Sequence, residues 1–266
     1  MPLVYGVYAP NAPTIIAPEA FGGVTADVVQ SLRSLDVVRR HRPDVILVVT
    51  PHWVSRTTFL VQESARPPQV FDFSGFPPQL SEVKYEPPGD PATARALVEK
   101  GVERHIPVQA TQGWGLDHGA WAPLMHISPG ARVPVVPLSV SNSSPQDHLA
   151  WGRAIGEALR DSPKRAVVVG TGSITHSFAR MNPTPGAKWP EGERIEREIV
   201  NLVLHRRYDE VASFDPEKWQ TIEPEGNLGP GFVLFGALGP TFVPRLVSTG
   251  QVGGAFGTTV LDFTSP

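Results

Sequence analysis

The stretch 44–50 constrains the fold of this chain more than any other segment. It reads Asp-Val-Ile-Leu-Val-Val-Thr, an aliphatic run without the polar alternation of a half-exposed strand. Such a run is typical of a strand buried on both faces, as strands are when helices cover both sides of a parallel sheet. We therefore predict an α/β protein with a strand at 44–50 inside its sheet.

Predicted strands and helices alternate along the rest of the chain. Strands are expected at 3–8, 57–61, 82–86, 133–140, 165–169, 242–249 and 257–263, and helices at 25–40, 92–103, 120–126, 144–160, 191–204, 208–214 and 227–238. The alternation favours one α/β domain over residues 1–266, with a central, largely parallel or mixed sheet flanked by helices. In that architecture the active site lies at the carboxyl ends of the strands.

The composition excludes several classes of protein. A net charge of -3 with mixed signs offers no basic surface for nucleic acid. No window approaches the roughly 18 consecutive apolar residues of a transmembrane helix, and the first residues lack the charged start of a signal peptide. Without cysteine there are no disulfides or thiolate metal sites. We expect a cytoplasmic protein that uses neither nucleic acid nor a membrane.

The segment 115–121 reads Gly-Leu-Asp-His-Gly-Ala-Trp and places His118 on a glycine-bracketed turn. Glycine lets the backbone approach a neighbouring group closely or adopt a positive φ. A histidine on such a turn suits proton transfer near neutral pH. The alternative is a structural histidine that caps a helix, and these seven residues leave both interpretations open.

Three further polar residues each follow a predicted strand: Asn11, His52 and His176. His118 follows the short segment through Val108. Because ligands of open α/β sheets bind at the carboxyl ends of the strands, we expect these four side chains to lie close together.

The loop 170–176, Gly-Thr-Gly-Ser-Ile-Thr-His, allows two other interpretations. A phosphate-binding loop is disfavoured because the segment lacks the lysine and the spacing of a P-loop. A serine hydrolase that pairs Ser173 with His176 is disfavoured because there is no Gly-x-Ser-x-Gly elbow.

Five blocks of the sequence resemble the class III, LigB-type, extradiol ring-cleavage dioxygenases. They lie at 71–78 (Phe-Asp-Phe-Ser-Gly-Phe-Pro-Pro), 85–91 (Tyr-Glu-Pro-Pro-Gly-Asp-Pro), 115–124, 134–140 (Pro-Val-Val-Pro-Leu-Ser-Val) and 235–239 (Phe-Gly-Ala-Leu-Gly). The resemblance covers nearly the whole chain in the right order. The middle blocks look most like the DOPA dioxygenase branch, and the last looks like the aminophenol dioxygenase branch.

The resemblance implies a non-haem Fe(II) enzyme that opens a catechol- or aminophenol-type ring with O₂, with Zn or Mn as alternative metals. Two histidines and one carboxylate hold the metal in this family and leave positions open for substrate and O₂. His52 matches a metal ligand. His118 and His176 match the residues that transfer protons and steer substrate and O₂.

The chain departs from the family at the metal site. Asn11 stands where the family has its first histidine ligand, and an amide oxygen is a poor ligand for Fe(II) beside imidazole. Glu225 is the candidate for the carboxylate ligand, and a shift of alignment would select Glu223 or Asn227 instead.

Three functions stay open at this point: an active dioxygenase, a metal-free homologue, and a hydrolase or lyase that uses another divalent ion in the same pocket. The metal-free homologue would bind a small molecule or pair with an active paralogous subunit. Trp53, Trp114 and Trp121 are candidates for contact with a flat aromatic substrate. We expect a homo-oligomer or a hetero-oligomer with a paralogous subunit.

Overall fold

An eight-stranded mixed sheet forms the centre of the computed structural model, which describes residues 3–182, 184 and 186–265. The strands are β1 (Leu3–Ala9), β2 (Val45–Ser55), β3 (Phe59–Gln62), β4 (Val108–Thr111), β5 (Val135–Ser141), β6 (Ala166–Thr171), β7 (Val243–Ser248) and β10 (Val260–Thr264). Their order across the sheet is β4-β3-β5-β2-β6-β1-β10-β7. A separate small hairpin pairs β8 (Gln251–Val252) with β9 (Phe256–Gly257).

Nine α-helices of the described residues surround the sheet. They are α1 (Ala26–Ser34), α2 (Val37–His41), α3 (Pro91–Glu103), α4 (His118–Ile127), α5 (Pro145–Asp161), α6 (Pro190–Leu204), α7 (Tyr208–Ala212), α8 (Pro216–Ile222) and α9 (Gly229–Leu238). One apolar layer lies between the sheet and α3, α5, α6 and α9, and the other lies beneath α1 and α4. None of these helices is long and apolar enough to cross a membrane.

The centre of the sheet is parallel, as the aliphatic run predicts. Strands β5, β2, β6 and β1 all run in the same direction. The side chains of residues 45–49 are fully buried because helices cover both faces of β2. The predicted fold class, α/β with a parallel or mixed sheet flanked by helices, is confirmed.

Helices α5 and α9 pack backbone against backbone through three glycines. A Cβ atom on Gly152 would lie 2.2 Å from the carbonyl oxygen of Val233, and one on Gly236 would lie 2.3 Å from that of Leu149. Gly156 makes an equally close approach to the carbonyl oxygen of Ala237. Alanine at any of these positions would therefore force the helices apart.

Two of the predicted elements are wrong, and one helix was not predicted. No strand forms at 82–86, because the side chain of Gln69 accepts from the N–H of Tyr85 and donates to the carbonyl of Val83 in place of a neighbouring strand. The predicted helix 25–40 is divided into α1 and α2 by a left-handed backbone at Asp36, where φ is 46°. Helix α8 is missing from the prediction, although Asp215 caps it and proline begins it.

Candidate active site

His52 lies inside β2 and not after its end, which corrects the expectation for this residue. Strand β2 continues to Ser55, but its register with β5 shifts between Val49 and Val54. Irregular pairing of this kind redirects a side chain out of the ladder. The shift therefore turns the imidazole of His52 toward the loops at the carboxyl ends of β1 and β6.

Asn11, His52 and Glu225 converge on one point. Nε2 of His52 lies 2.9 Å from Oε1 of Glu225, and Nδ2 of Asn11 lies 3.4 Å from the same Nε2. The amide of Asn11 also donates to Oε1 of Glu225 over 3.1 Å. The three side chains come from the loop after β1, the irregular part of β2 and the turn before α9, and each is mostly buried.

A tight turn with positive φ places Glu225 at this point. Gly226 has a φ of 54°, and a Cβ atom there would lie 2.7 Å from Cβ of Pro51, so only glycine fits. The N–H of Ser173, in the loop after β6, donates to Oε2 of Glu225 over 3.0 Å. Oε1 is thereby left facing His52.

Glu223 and Asn227, the two alternatives to Glu225, point elsewhere. Glu223 is exposed and accepts a hydrogen bond from the hydroxyl of Ser177 over 2.8 Å. Asn227 accepts from the indole N–H of Trp219 over 2.5 Å. Of the three candidates only Glu225 contacts His52.

Asp72 belongs to the site and was not among the predicted site residues. Its Oδ2 lies 2.7 Å from Nδ1 of His52, and its Oδ1 lies 2.8 Å from Nδ1 of His118. The imidazole rings of His52 and His118 are 4.3 Å apart, centroid to centroid. Asp72 is the only acidic residue in the aromatic block 71–78, and that was the available signal.

The position of His118 depends on backbone pairing that was not predicted from the sequence. Strand β4 runs parallel to β3 and therefore opposite to β5, so its carboxyl end does not share the edge where β2 and β6 end. The segment after β4 instead pairs with 68–70: the N–H of Leu116 donates to Pro68, and the N–H of Val70 donates to Leu116. Gly115 is required there because a Cβ atom would lie 2.1 Å from the carbonyl oxygen of Pro68.

Asp117 caps helix α4, which leaves His118 as the first helical residue. The buried carboxylate of Asp117 accepts from the N–H of Ala120 over 3.1 Å, from the hydroxyl of Thr50 over 2.7 Å and from the indole of Trp114 over 2.9 Å. Burial raises the pKa of Asp117. The capping role considered for His118 therefore belongs to its neighbour.

His52 is held between two carboxylates, and this sets the electrostatics of the site. Burial opposes its charged form, but the hydrogen bonds to Asp72 and Glu225 outweigh burial and raise the pKa of His52 to about 10. Burial likewise opposes the charged form of Glu225, yet the hydrogen bond from His52 and the nearby His176 hold its pKa below the usual value. A positive charge on this imidazole is thus strongly favoured.

His176 lies at the rim of the site. It follows β6 as predicted, and its N–H donates to the carbonyl of Ile222 over 2.8 Å. Its ring packs between Phe178 at 5.0 Å and Phe256 at 5.1 Å, centroid to centroid. Phe178 keeps 69% of its surface exposed, so the rim presents an open aromatic face.

The three predicted tryptophans differ in accessibility. Trp53 and Trp114 stack with ring centroids 6.3 Å apart, and Trp114 is partly exposed. Trp121 is fully buried behind His118, and its indole N–H donates to the carbonyl of Val70 over 3.0 Å. No face of the Trp121 ring is open to a substrate in this structure.

Among the described residues, two groups of side chains could hold a metal ion, and both include His52. One uses Nε2 with Glu225 and Asn11. The other uses Nδ1 with Asp72 and His118, whose ligand atoms lie within 4.8 Å of one another. An α/β fold with an imidazole–carboxylate cluster beside the ends of parallel strands is typical of proteins whose site can hold a divalent ion.

The comparison with known families identifies the group within this class. The sequence model of the protein family described as the catalytic LigB subunit of aromatic ring-opening dioxygenase matches residues 2–257. The chain belongs to this family, and the resemblance seen in the sequence is confirmed.

Known relatives agree with this assignment, and a solved structure shares the fold. The chain is 40% identical over 139 residues to a 4,5-DOPA dioxygenase extradiol of Escherichia coli, which covers 52% of this chain and 49% of that protein. It is 32% identical over 188 residues to dioxygenase tasH of Hapsidospora irregularis, with 68% and 56% covered. The matches thus span about half the length of these relatives. A crystal structure of an uncharacterized Escherichia coli protein shares the fold, with a TM-score of 0.72, 20% identity and 97% and 99% of the chains covered.

Proposed function

We propose that this protein is an extradiol dioxygenase that opens a catechol- or aminophenol-type ring with O₂ and holds Fe(II) through His52, Glu225 and Asn11. The observation that carries the proposal is the convergence of these three side chains, with their polar atoms within 3.4 Å of one another. Membership of the LigB family and the extradiol dioxygenase named among the relatives support it.

The donor set fits a divalent ion. The 2.9 Å contact between His52 and Glu225 holds a proton between two strong metal ligands, and a metal ion replaces such a proton when it binds. Rotation of the Asn11 carboxamide exchanges Nδ2 with Oδ1 and supplies a neutral oxygen as the third donor. Because this oxygen is weaker than imidazole, we expect iron to be held less tightly than by two histidines and a carboxylate.

When bound, Fe(II) supplies the redox chemistry that lets O₂ react with an aromatic diol. The chain's own side chains position the substrate and handle its protons. Nδ1 of His118 is occupied by Asp72, so Nε2 is the nitrogen through which this ring holds or passes a proton. His176 takes the corresponding role at the rim, where Phe178 and Phe256 present aromatic faces to a flat ring.

Reconstitution tests this function directly. The protein is loaded with Fe(II) without oxygen and then given O₂ with a panel of catechols and 2-aminophenols. We expect a coloured ring-opened product and one O₂ consumed per ring. A protein that binds Fe(II) but consumes no O₂ with any member of the panel would refute the activity.

Two variants distinguish the two metal-binding arrangements. Glu225→Gln removes a ligand on the Nε2 side of His52, and His118→Asn removes one on the Nδ1 side. Loss of a residue that only hydrogen-bonds to a metal ligand typically weakens metal binding by roughly 10–100-fold. We expect Glu225→Gln to weaken it by more than this, because Glu225 is itself a proposed ligand. His118→Asn should leave the affinity nearly unchanged. The reverse result would place the ion with Asp72 and His118.

The presence of Asn11 favours one alternative, in which the protein is a homologue of these dioxygenases that binds no metal. Asn11 is 3% exposed and already bonded to Glu225, so the site is satisfied without an ion. Elemental analysis of protein purified from iron-supplemented cells decides between the two functions. One metal per chain supports the dioxygenase, and its absence together with failed reconstitution supports the metal-free homologue.

The remaining expectations stay predictions. The extent of the domain over 1–266 is supported by the pairing of β1 with β10. Substrate contact at Trp114 is supported by its partial exposure. Assembly with a second copy or a paralogous subunit, and a cytoplasmic location, rest on the sequence reasoning alone.

A further inference from the structure

We propose that Asp72 is a positioning residue that fixes the tautomer and direction of His52 and holds His118 beside it. This inference rests on the proposed function, because it assumes that a metal ion binds Nε2 of His52. One carboxylate thereby sets the geometry of a metal ligand and of an acid–base residue together.

Each oxygen of Asp72 serves one imidazole. Oδ2 lies 2.7 Å from Nδ1 of His52, while Oδ1 lies 2.8 Å from Nδ1 of His118 and accepts the backbone N–H of His118 at 2.8 Å. An ionised carboxylate only accepts, so both Nδ1 atoms must carry hydrogen. A metal ion that displaces the second ring hydrogen of His52 would then bind at Nε2, the nitrogen that faces Glu225 and Asn11.

The surroundings of Asp72 hold the carboxylate in place. Although the residue as a whole is exposed, only 17% of the surface of its side chain is accessible to solvent. Water therefore competes little for these hydrogen bonds. Its loop is anchored by the pairing of Val70 with Leu116, and the ring of Phe73 packs edge-on against His118 at 5.1 Å. Carboxylates that bond the outer nitrogen of a ligating histidine orient such ligands in many metal sites.

An amide cannot replace this carboxylate because it has only one accepting atom. In Asp72→Asn the amide oxygen is expected to stay with His118, which offers two N–H donors. The NH₂ group then faces Nδ1 of His52 and requires that nitrogen to accept. The hydrogen of His52 is thereby moved to Nε2, which removes the lone pair needed for a metal.

The test compares wild type, Asp72→Asn, Asp72→Ala and His118→Asn. Zn(II) is the probe, with affinity measured by calorimetry and the protonation of the ring nitrogens read from ¹H–¹⁵N NMR spectra. We expect Asp72→Asn to weaken Zn(II) binding by about 10–100-fold. His118→Asn should change the affinity by less than about threefold. In Zn(II)-loaded wild type, Nδ1 of His52 should carry hydrogen and Nε2 should show the metal-induced shift.

The other outcomes either overturn the inference or separate it from the proposed activity. Wild-type affinity in Asp72→Asn would mean that Asp72 does not position His52. A Zn(II)-induced shift on Nδ1 of His52, with equal losses in the Asp72 and His118 variants, would make Asp72 a ligand. If the Asp72 variants lose Zn(II) as expected but wild type opens no aromatic ring, the proposed activity fails and the positioning role stands. A wild type that binds no Zn(II) refutes both.

Discussion

The carboxamide of Asn11 donates to Oε1 of Glu225 over 3.1 Å, although 214 positions separate the two residues in the chain. This contact brings together the one departure from the family's ligand set and the carboxylate whose position was uncertain. It also defines the change that tests the site most directly.

Asn11→His should strengthen metal binding. The substitution adds an imidazole where the structure has a neutral amide, and imidazole is the stronger ligand for Fe(II). We expect the affinity for Fe(II) or Co(II) to rise at least about tenfold, equivalent to about 1.4 kcal/mol. Asn11→Ala is the control and should weaken binding. Equal affinities in wild type and both variants would show that residue 11 is not at the metal.

His118→Gln and His176→Gln should each slow turnover without releasing the metal. A positioned acid or base contributes roughly 10²–10⁴-fold to rate, so kcat should fall by a factor in that range while the metal content stays constant. His205→Gln is the matched control, because His205 is exposed and bonds only to the preceding turn at Asn201. A loss of kcat below about threefold would remove the acid–base role of the residue concerned.

Phe178→Ala should weaken substrate binding and leave the fold intact. The ring is 69% exposed beside His176, so its removal should change the free energy of unfolding by less than about 0.5 kcal/mol. An aromatic pair is worth roughly 0.5–1.5 kcal/mol, which corresponds to a two- to tenfold rise in KM. Phe178→Tyr keeps the ring and should keep the KM. Unchanged KM in the alanine variant would place the substrate elsewhere.

Because of His148, the free energy of unfolding should fall as the pH is lowered. Its Nδ1 bonds the carbonyl of Ser144 at 2.9 Å and its Nε2 accepts the N–H of Ser141 at 3.3 Å, which requires the neutral ring. Burial lowers its pKa in the folded protein. Below about pH 6.5 the unfolded chain therefore binds a proton that the folded protein does not, and stability is lost until the pH reaches the folded-state pKa.

Denaturant titrations at pH 7.5, 6.5 and 5.5 measure this effect. One proton corresponds to a slope of at most about 1.4 kcal/mol per pH unit. His148→Gln can keep both hydrogen bonds and does not titrate, so its free energy of unfolding should depend on pH less steeply than that of wild type. Parallel pH profiles for the two proteins would contradict the assignment.

Gly226→Ala should damage both the fold and the metal site. The new Cβ atom would meet Pro51 at 2.7 Å and would adopt a φ of 54°, so we expect a loss of about 1–3 kcal/mol and weaker metal binding through displaced Glu225. Gly22→Ala is the control, because Gly22 has a φ of 65° but nothing within 4 Å. If both variants lose the same stability, backbone strain accounts for the whole effect and the contact with Pro51 is unimportant.

The sequence was sufficient for the parts of the fold that local patterns determine. The strand formed by the aliphatic run and the helices predicted at 92–103 and 144–160 appear where they were expected. The segment 82–86 and the break at Asp36 were not predictable, because the first is bonded by the distant side chain of Gln69 and the second has no glycine or proline.

For the site, the sequence indicated which residue types to follow but not how they meet. Asn11, His52 and Glu225 lie close together, yet the register shift that turns His52 depends on pairing between β2 and β5. Asp72 was missed because nothing in the loop 71–78 reveals that two histidines, 20 positions before it and 46 after it, meet its two oxygens.

The glycine contact between α5 and α9 has a consequence for the divergence of the family. Helix α9 begins immediately after the turn that carries Glu225, so the separation of the two helices sets the height of that carboxylate above the sheet. Relatives with glycine at the equivalents of Gly152, Gly156 and Gly236 should share this ligand geometry. A relative with a larger residue at one position should carry a compensating change on the facing helix, and such paired substitutions would mark where the architecture of the site has drifted.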